Sequence, residues 1–202
     1  MKRRALLATI PLLALPTLSH AAAPDPATLA ALEAYLNAIR SLKARFYQVA
    51  PNGQVSQGTV WLSRPGRMRF QYDPPSPFLL VAGDGLLIFH DQKLGQTSNI
   101  PLSQTPLGIL LADQVRLSGA VTVTSLQRLP GMIQLSLYRT SSPGDGTLTL
   151  YFDSNPLTLR QWTVVDAQRQ QTRVTLENVE TGVPVPDTLF EFIDRNFPNR
   201  GG

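Results

Sequence analysis

The chain has 202 residues, of which 43% are hydrophobic and 16% are charged, and it contains no Cys. This length supports a single domain with a stable core, and the missing Cys excludes disulfides, thiolate metal sites, a Cys nucleophile and lipid attachment through an N-terminal Cys. The net charge of +4 suggests a basic protein, but three of the 18 basic residues lie at positions 2–4. The other 15 face 14 acidic residues, so nucleic-acid binding has no electrostatic basis.

The N-terminus has the three parts of an export signal. A basic start at residues 2–4 is followed by an apolar run over 5–18 and by small residues up to Ala21. The run is shorter than the ~20 residues of a membrane span and contains two prolines. We predict a signal peptide over 1–21, cleavage near Ala21, and one periplasmic domain over 22–202 without stable membrane insertion.

The first element of the mature chain is predicted as an amphipathic helix over 27–40. Asp25 suits its N-cap and Pro26 its first turn. Apolar residues recur at three- and four-residue steps and form one stripe along the helix. The members of this stripe are Leu29, Leu32, Leu36 and Ile39.

After Ser41, apolar and polar residues alternate with a period of two, which indicates strands. A first strand begins near Leu42, and further strand signals recur about every 8–12 residues between turn sequences rich in Gly, Pro and Asp. These further strands are predicted over 54–62, 67–72, 78–82, 86–90, 94–100, 120–128, 132–138, 147–152, 157–165, 170–179 and 189–193.

A second, short helix is predicted where Thr105 and Pro106 precede the apolar residues 107–111. About a dozen antiparallel strands with two helices predict a strongly curved sheet or barrel. One face of these strands is apolar, and the two helices are the lids that could cover it. Composition leaves open whether side chains fill this barrel or whether it encloses a cavity.

Few residues suit catalysis or metal binding. Once the signal peptide is removed, His90 is the only His, which leaves no Ser-His-Asp arrangement and no multi-His metal site. The Asp residues fall mainly in predicted turns, where Asp accepts hydrogen bonds from backbone N–H groups. We therefore predict a protein that is not an enzyme and holds no metal and no cofactor.

The segment 58–72, GTVWLSRPGRMRFQY, resembles the signature of the outer-membrane lipoprotein carrier family, LolA. Further segments match in the same order, and they are 46–48, 84–85, 105–106, 152–153 and 189–192. The resemblance implies an unclosed antiparallel barrel of about eleven strands with helical lids over an apolar cavity. It also implies a carrier that accepts acylated lipoproteins from the inner-membrane Lol ABC transporter and delivers them to an outer-membrane acceptor.

The resemblance gives individual residues expected roles. Arg64 matches the arginine that hydrogen-bonds the lid and keeps it shut, while Leu36 and Leu110 match apolar lid positions. Met68 lies where other members carry a Phe used in docking to the transporter, so it is the docking candidate. The residues expected to form the acyl-chain cavity and lid are Leu32, Leu36, Ile39, Trp61, Phe70, Tyr72, Ile109, Leu110, Leu148 and Leu150.

We expect the carrier to act as a monomer. The outer-membrane acceptor shares this architecture but is itself a lipoprotein, and the missing Cys argues against it. A periplasmic lipid- or acyl-binding protein, or a lipid hydrolase on the same barrel, stays open as an alternative. A module that only bridges envelope proteins also stays open, and it would bind no acyl chain.

Overall fold

The computed structural model describes residues 24–192, and its first element is helix α1, Pro26–Ala38. The predicted signal peptide lies outside the described residues. Asp25 caps α1 by accepting hydrogen bonds from the backbone N–H groups of Ala27 and Thr28, and Pro26 occupies the first turn. The helix buries three side chains, those of Thr28, Leu32 and Leu36, so its predicted apolar stripe faces the rest of the protein.

Eleven antiparallel strands form one open sheet in the order β6-β5-β4-β3-β2-β1-β11-β10-β9-β8-β7. Since β6 and β7 are the two edges, the barrel is unclosed, as predicted. The strands are β1 (Ser41–Val49), β2 (Val55–Ser63), β3 (Arg67–Tyr72), β4 (Phe78–Gly83), β5 (Leu86–Asp91), β6 (Gln96–Pro101), β7 (Val121–Leu129), β8 (Met132–Arg139), β9 (Gly146–Ser154), β10 (Leu157–Asp166) and β11 (Gln171–Thr181).

The predicted strand over 189–193 is wrong. Asp187–Phe190 forms a short 3₁₀ helix, and residue 193 lies outside the described range. Two prolines between residues 183 and 187 cannot donate to a sheet ladder, so the chain leaves the sheet after β11. The segment instead crosses the outer face of β3, where the Arg67 guanidinium lies 5.6 Å from the Phe190 ring centroid. Phe190 is therefore buried outside the barrel rather than paired in a strand.

The core lies between the concave face of the sheet and two helices, α1 and the short helix α2, Leu107–Leu110. Helix α2 agrees with the short helix predicted after Thr105. A 3₁₀ helix at Leu102–Gln104, which was not predicted, precedes it. Leu32 of α1 and Leu148 of β9 are both completely buried in this core. Among residues 24–192, no helix is long and apolar enough to cross a membrane.

We expect Asp25→Ala to lower the free energy of unfolding by about 1 kcal/mol, because α1 loses its N-cap. The Thr28 hydroxyl, which donates to Asp25, holds the pKa of that carboxyl below its ordinary value. The capping contribution is therefore present above the ordinary Asp pKa and is lost as the pH falls below it.

Thermal unfolding followed by circular dichroism checks this prediction at pH 7 and again near pH 3. Asp113→Ala is the matched control, because its carboxylate makes only an exposed ion pair with Arg40. An equal loss of stability in the two variants at pH 7 would contradict the capping role.

Candidate functional site

Arg64 joins the sheet to both lids. This arginine directly follows β2 and is 4% exposed. Nε donates a hydrogen bond of 2.9 Å to the backbone oxygen of Leu110 in α2, and Nη1 donates to the backbone oxygen of Leu36 in α1. We call these two hydrogen bonds the Arg64 latch. The planar guanidinium suits this task, since its donors diverge in one plane and reach two acceptors together.

Within the described part of the chain, the buried Arg64 forms no ion pair. Burial lowers the pKa of this guanidinium to about 10, and the nearby positive charge of Arg40 contributes in the same direction. The group therefore stays protonated at neutral pH, held by carbonyl dipoles alone. Its Nη2 atom is buried and, among residues 24–192, has no hydrogen-bond partner. The cost of burying this incompletely bonded charge offsets part of what the two hydrogen bonds contribute.

A second set of hydrogen bonds connects α1 to the segment that follows α2. Asn37 Nδ2 donates to the backbone oxygen of Val115 at 2.9 Å, and the backbone N–H of Val115 donates to Asn37 Oδ1 at 2.8 Å. Four residues earlier, Glu33 Oε2 accepts from the backbone N–H of Leu117 at 2.8 Å. This connection was not predicted from the sequence. The four-residue spacing of the polar residues Glu33 and Asn37 on one side of α1 is the signal that could have revealed it.

The predicted lid and cavity residues converge on one buried cluster, with one exception described below. Each of them is at most 5% exposed. They are Leu32, Leu36, Ile39, Phe70, Tyr72, Ile109, Leu110, Leu148 and Leu150. In this closed state they pack against one another, and of this group Phe70 also lines the open cavity described next. Their side chains thus occupy the space beneath α1 where the sequence predicts a cavity.

An apolar cavity of about 390 Å³ opens beside the N-terminal end of α2. This volume lies within the usual range for small-molecule sites, about 300–1,000 Å³. Three groups of residues line it, from β3–β6, from β10–β11 and from the chain entering α2. Its apolar lining is Phe70, Leu80, Leu87, Ile100, Pro106, Leu107, Trp162, Val164 and Val174, and polar residues including Gln48, Asp145 and Asp166 complete it.

The apolar floor of this cavity continues outward to the sheet edge. Leu87 lies directly opposite Ile100 of β6, and Leu80 lies opposite Phe89 of β5. Ile100 is 47% exposed and Phe89 is 37% exposed. These residues were not predicted as a site from the sequence, although strand alternation places them on one face. The cavity lining is therefore continuous with exposed apolar side chains at the edge of the sheet.

Trp61 and Met68 are not where the sequence analysis expected them. Trp61 lies between the buried residues Val60 and Leu62 in β2, so the alternation of the strand puts it on the outer face, away from the cavity. Met68 is 1% exposed and belongs to the core, so no partner can dock on its side chain in this state. Met68 lies two residues before Phe70 in β3, so the side chains of both residues face inward.

His90 is part of β5 and its Nδ1 lies 2.9 Å from the hydroxyl of Thr97. Within the described range 24–192, no three His, Cys, Asp or Glu residues lie close enough to hold a metal ion. The apolar cavity and its floor have the shape and the lining that suit an apolar ligand.

Comparison with known proteins agrees with this architecture. A family model described as outer membrane lipoprotein carrier protein LolA matches residues 37–193. An outer-membrane lipoprotein carrier protein of Dechloromonas aromatica is 31% identical over 190 residues, which cover 88% of this chain and 86% of that protein. A protein with the same description from Methylococcus capsulatus is 29% identical over 170 residues, covering 80% of this chain and 81% of that protein.

The fold also resembles a solved structure with little sequence similarity. A DUF1329 family protein from Desulfovibrio piger gives a TM-score of 0.50 at 11% identity, covering 81% of this chain and 95% of that one. This likeness concerns the fold alone. The match of the family model over most of the chain, together with the relative at 31% identity, shows that the chain belongs to the LolA family of outer membrane lipoprotein carrier proteins.

Proposed function

We propose that the protein is a periplasmic carrier of acylated lipoproteins. It accepts them from the inner-membrane Lol ABC transporter and delivers them to an outer-membrane acceptor. The observation that carries this proposal is a lid, held by one buried arginine, over an apolar face that continues into an open cavity. Membership of the LolA family supports the same function.

The energetics explain why a carrier needs such a face. Transfer of an acyl chain from water to an apolar site is favourable by about 0.8 kcal/mol per CH₂ group. A carrier site must provide much of this transfer free energy when it binds the acyl chain, and it must still release its cargo. The open cavity of about 390 Å³ receives the first part of the cargo. Displacement of α2 would then expose the buried cluster around Leu36 and Leu110 to the remaining acyl groups.

The lid that closes over the empty protein also supports release. When no cargo is present, Leu110 and Leu36 pack on the sheet and the Arg64 latch forms. When cargo is present, acyl groups replace these lid contacts. Re-forming the latch and the core is therefore part of the driving force for delivery to the acceptor.

The location and the state of assembly belong to the same proposal. The chain is exported by a signal peptide over 1–21, and the domain over 22–202 acts in the periplasm as a monomer. Intact mass measurement of the protein from the periplasmic fraction tests the cleavage, and the expected N-terminus is near Ala22. Recovery of the full 202-residue chain from this fraction would contradict it.

Native mass spectrometry of the mature protein with a purified lipoprotein tests the carrier function. We expect a one-to-one complex that survives dilution, because the acyl chains are removed from water. The same lipoprotein without its acyl chains is the control and should form no complex. Equal binding of the two forms would contradict the proposal and would favour a module that bridges envelope proteins.

A further inference from the structure

One polar side chain of the cavity has a fixed orientation. Gln48 lines the cavity, and its Oε1 accepts a hydrogen bond of 3.0 Å from the hydroxyl of Tyr72. Tyr72 is 5% exposed, and burial raises the pKa of its hydroxyl to about 12, so this group stays protonated and can donate. Because Tyr72 occupies the carbonyl end of the amide, Gln48 can offer a ligand its N–H donors.

The charge at the cavity has one sign. Asp145 and Asp166 both line the cavity, and among residues 24–192 no Lys or Arg lines it. Asp166 accepts hydrogen bonds of 2.9 Å from the backbone N–H groups of Gln168 and Gln170, which holds its carboxylate in the turn after β10. Within the part of the chain that the structure describes, neither carboxylate takes part in an ion pair. Both carboxylates therefore lie beside the cavity without an ion-pair partner among these residues.

We propose that this cavity selects acyl groups whose carbonyl is uncharged, as in esters and amides, over free fatty acids. Gln48 donates a hydrogen bond to the acyl carbonyl, while Asp145 and Asp166 repel a carboxylate. The inference rests on the proposed carrier function and adds a chemical class to it. Acyl chains attached to a protein or to glycerol through esters and amides belong to the accepted class, and free fatty acids belong to the rejected one.

The pairing of the strands explains why the Gln48 donor and the two carboxylates lie at the same cavity. Gln48 of β1 lies opposite Val174 of β11, and Val174 lies opposite Trp162 of β10. Asp166 ends the same strand β10 and pairs with Gly146, the residue after Asp145. Gln48 and the two carboxylates therefore lie on the lining of one cavity. A carboxylate bound in this cavity would be repelled by the two like charges, whereas an uncharged acyl linkage would not.

A displacement assay tests this selectivity with small ligands. The mature protein is loaded with the neutral fluorophore N-phenyl-1-naphthylamine, which reports occupancy of an apolar site. Decanamide and decanoate then compete for it at pH 8 and low ionic strength. We expect decanamide to displace the fluorophore at concentrations about tenfold lower than decanoate.

Variants separate selectivity from the general preference of apolar sites for neutral ligands. Asp145→Asn with Asp166→Asn should strengthen decanoate binding about threefold to tenfold and leave decanamide unchanged, and high salt should reduce this gain. Asp153→Asn is the matched control, because this carboxylate pairs with Arg160 and does not line the cavity. Gln48→Leu should weaken decanamide about threefold to tenfold while the fluorophore still binds.

Each outcome bears on one of the two proposals. Failure of the fluorophore and of both ligands to bind would overturn the proposed function, since no acyl-binding cavity would then exist. Binding of both ligands with no response of decanoate to the Asp145 and Asp166 variants would overturn the selectivity and leave the carrier function intact. Loss of the fluorophore together with decanamide in Gln48→Leu would contradict the role of Gln48 as a carbonyl donor.

Discussion

Arg64→Leu is expected to accept lipoprotein from the transporter and to deliver it poorly. The variant still offers an apolar face to acyl chains, so uptake should stay within about twofold of the unmodified protein. Delivery to the acceptor should fall about tenfold or more, because closure of the lid no longer forms the two hydrogen bonds to Leu36 and Leu110. Arg64→Lys should behave in the same way, since a single ammonium group cannot replace the fork that reaches both helices.

Separate assays of the two steps check this prediction. Release from inner-membrane vesicles measures uptake, and transfer from the loaded carrier to purified acceptor measures delivery. Arg116→Leu is the matched control, because Arg116 is an exposed arginine near the lid whose side chain bonds to Gln114. Normal delivery by Arg64→Leu would contradict the latch. A parallel loss of both steps with a lowered melting temperature would indicate misfolding instead.

Gly58→Ala is expected to destabilise the protein by about 3 kcal/mol. A Cβ atom at this position would lie 2.0 Å from the backbone oxygen of Gln71 and 2.8 Å from Cε1 of Phe46. The first of these atoms belongs to the neighbouring strand β3, so the β2–β3 ladder would have to shift. For a chain of this size the melting temperature should fall by about 6–12 °C.

Thermal and urea unfolding of the purified variant measure this loss. Gly144→Ala is the matched control, since an added Cβ meets no atom within 4 Å there. We expect the control to stay within about 0.5 kcal/mol of the unmodified protein. A Gly58→Ala protein as stable as the control would show that the sheet adjusts at this point more readily than its backbone contacts indicate.

Most of the sheet can be predicted from the sequence because its signals are local. Alternation and turn residues place β3 at its observed bounds, and they place strands such as β8 within a residue or two. The segment after β11 shows the limit of this reasoning. Its apolar residues alternate as in a strand, but Pro184 and Pro186 interrupt the ladder and Phe190 is buried on the outer face instead. Burial outside the barrel has no local signature.

The candidate site was predictable only in part. Arg64, Leu36 and Leu110 do come together, because the motif that carries the arginine lies in a hairpin whose position in the fold follows from the strand order. Trp61 and Met68 were placed wrongly because a motif match does not say which face of a strand a residue occupies. The cavity was placed wrongly because its position depends on how far the lid side chains fill the barrel, and only the packed structure defines that.

The open edges of the sheet have a mechanical consequence. No ladder joins β6 to β7, and the adjacent strands β1 and β11 lie in the middle of the strand order. The pairing of these two strands contains a register shift between Lys43 and Arg45, a feature at which sheets bend easily. A change of angle at this pairing would move the two halves of the sheet apart and leave the ladders within each half intact. A closed barrel would have to lose a strand pairing to open in the same way.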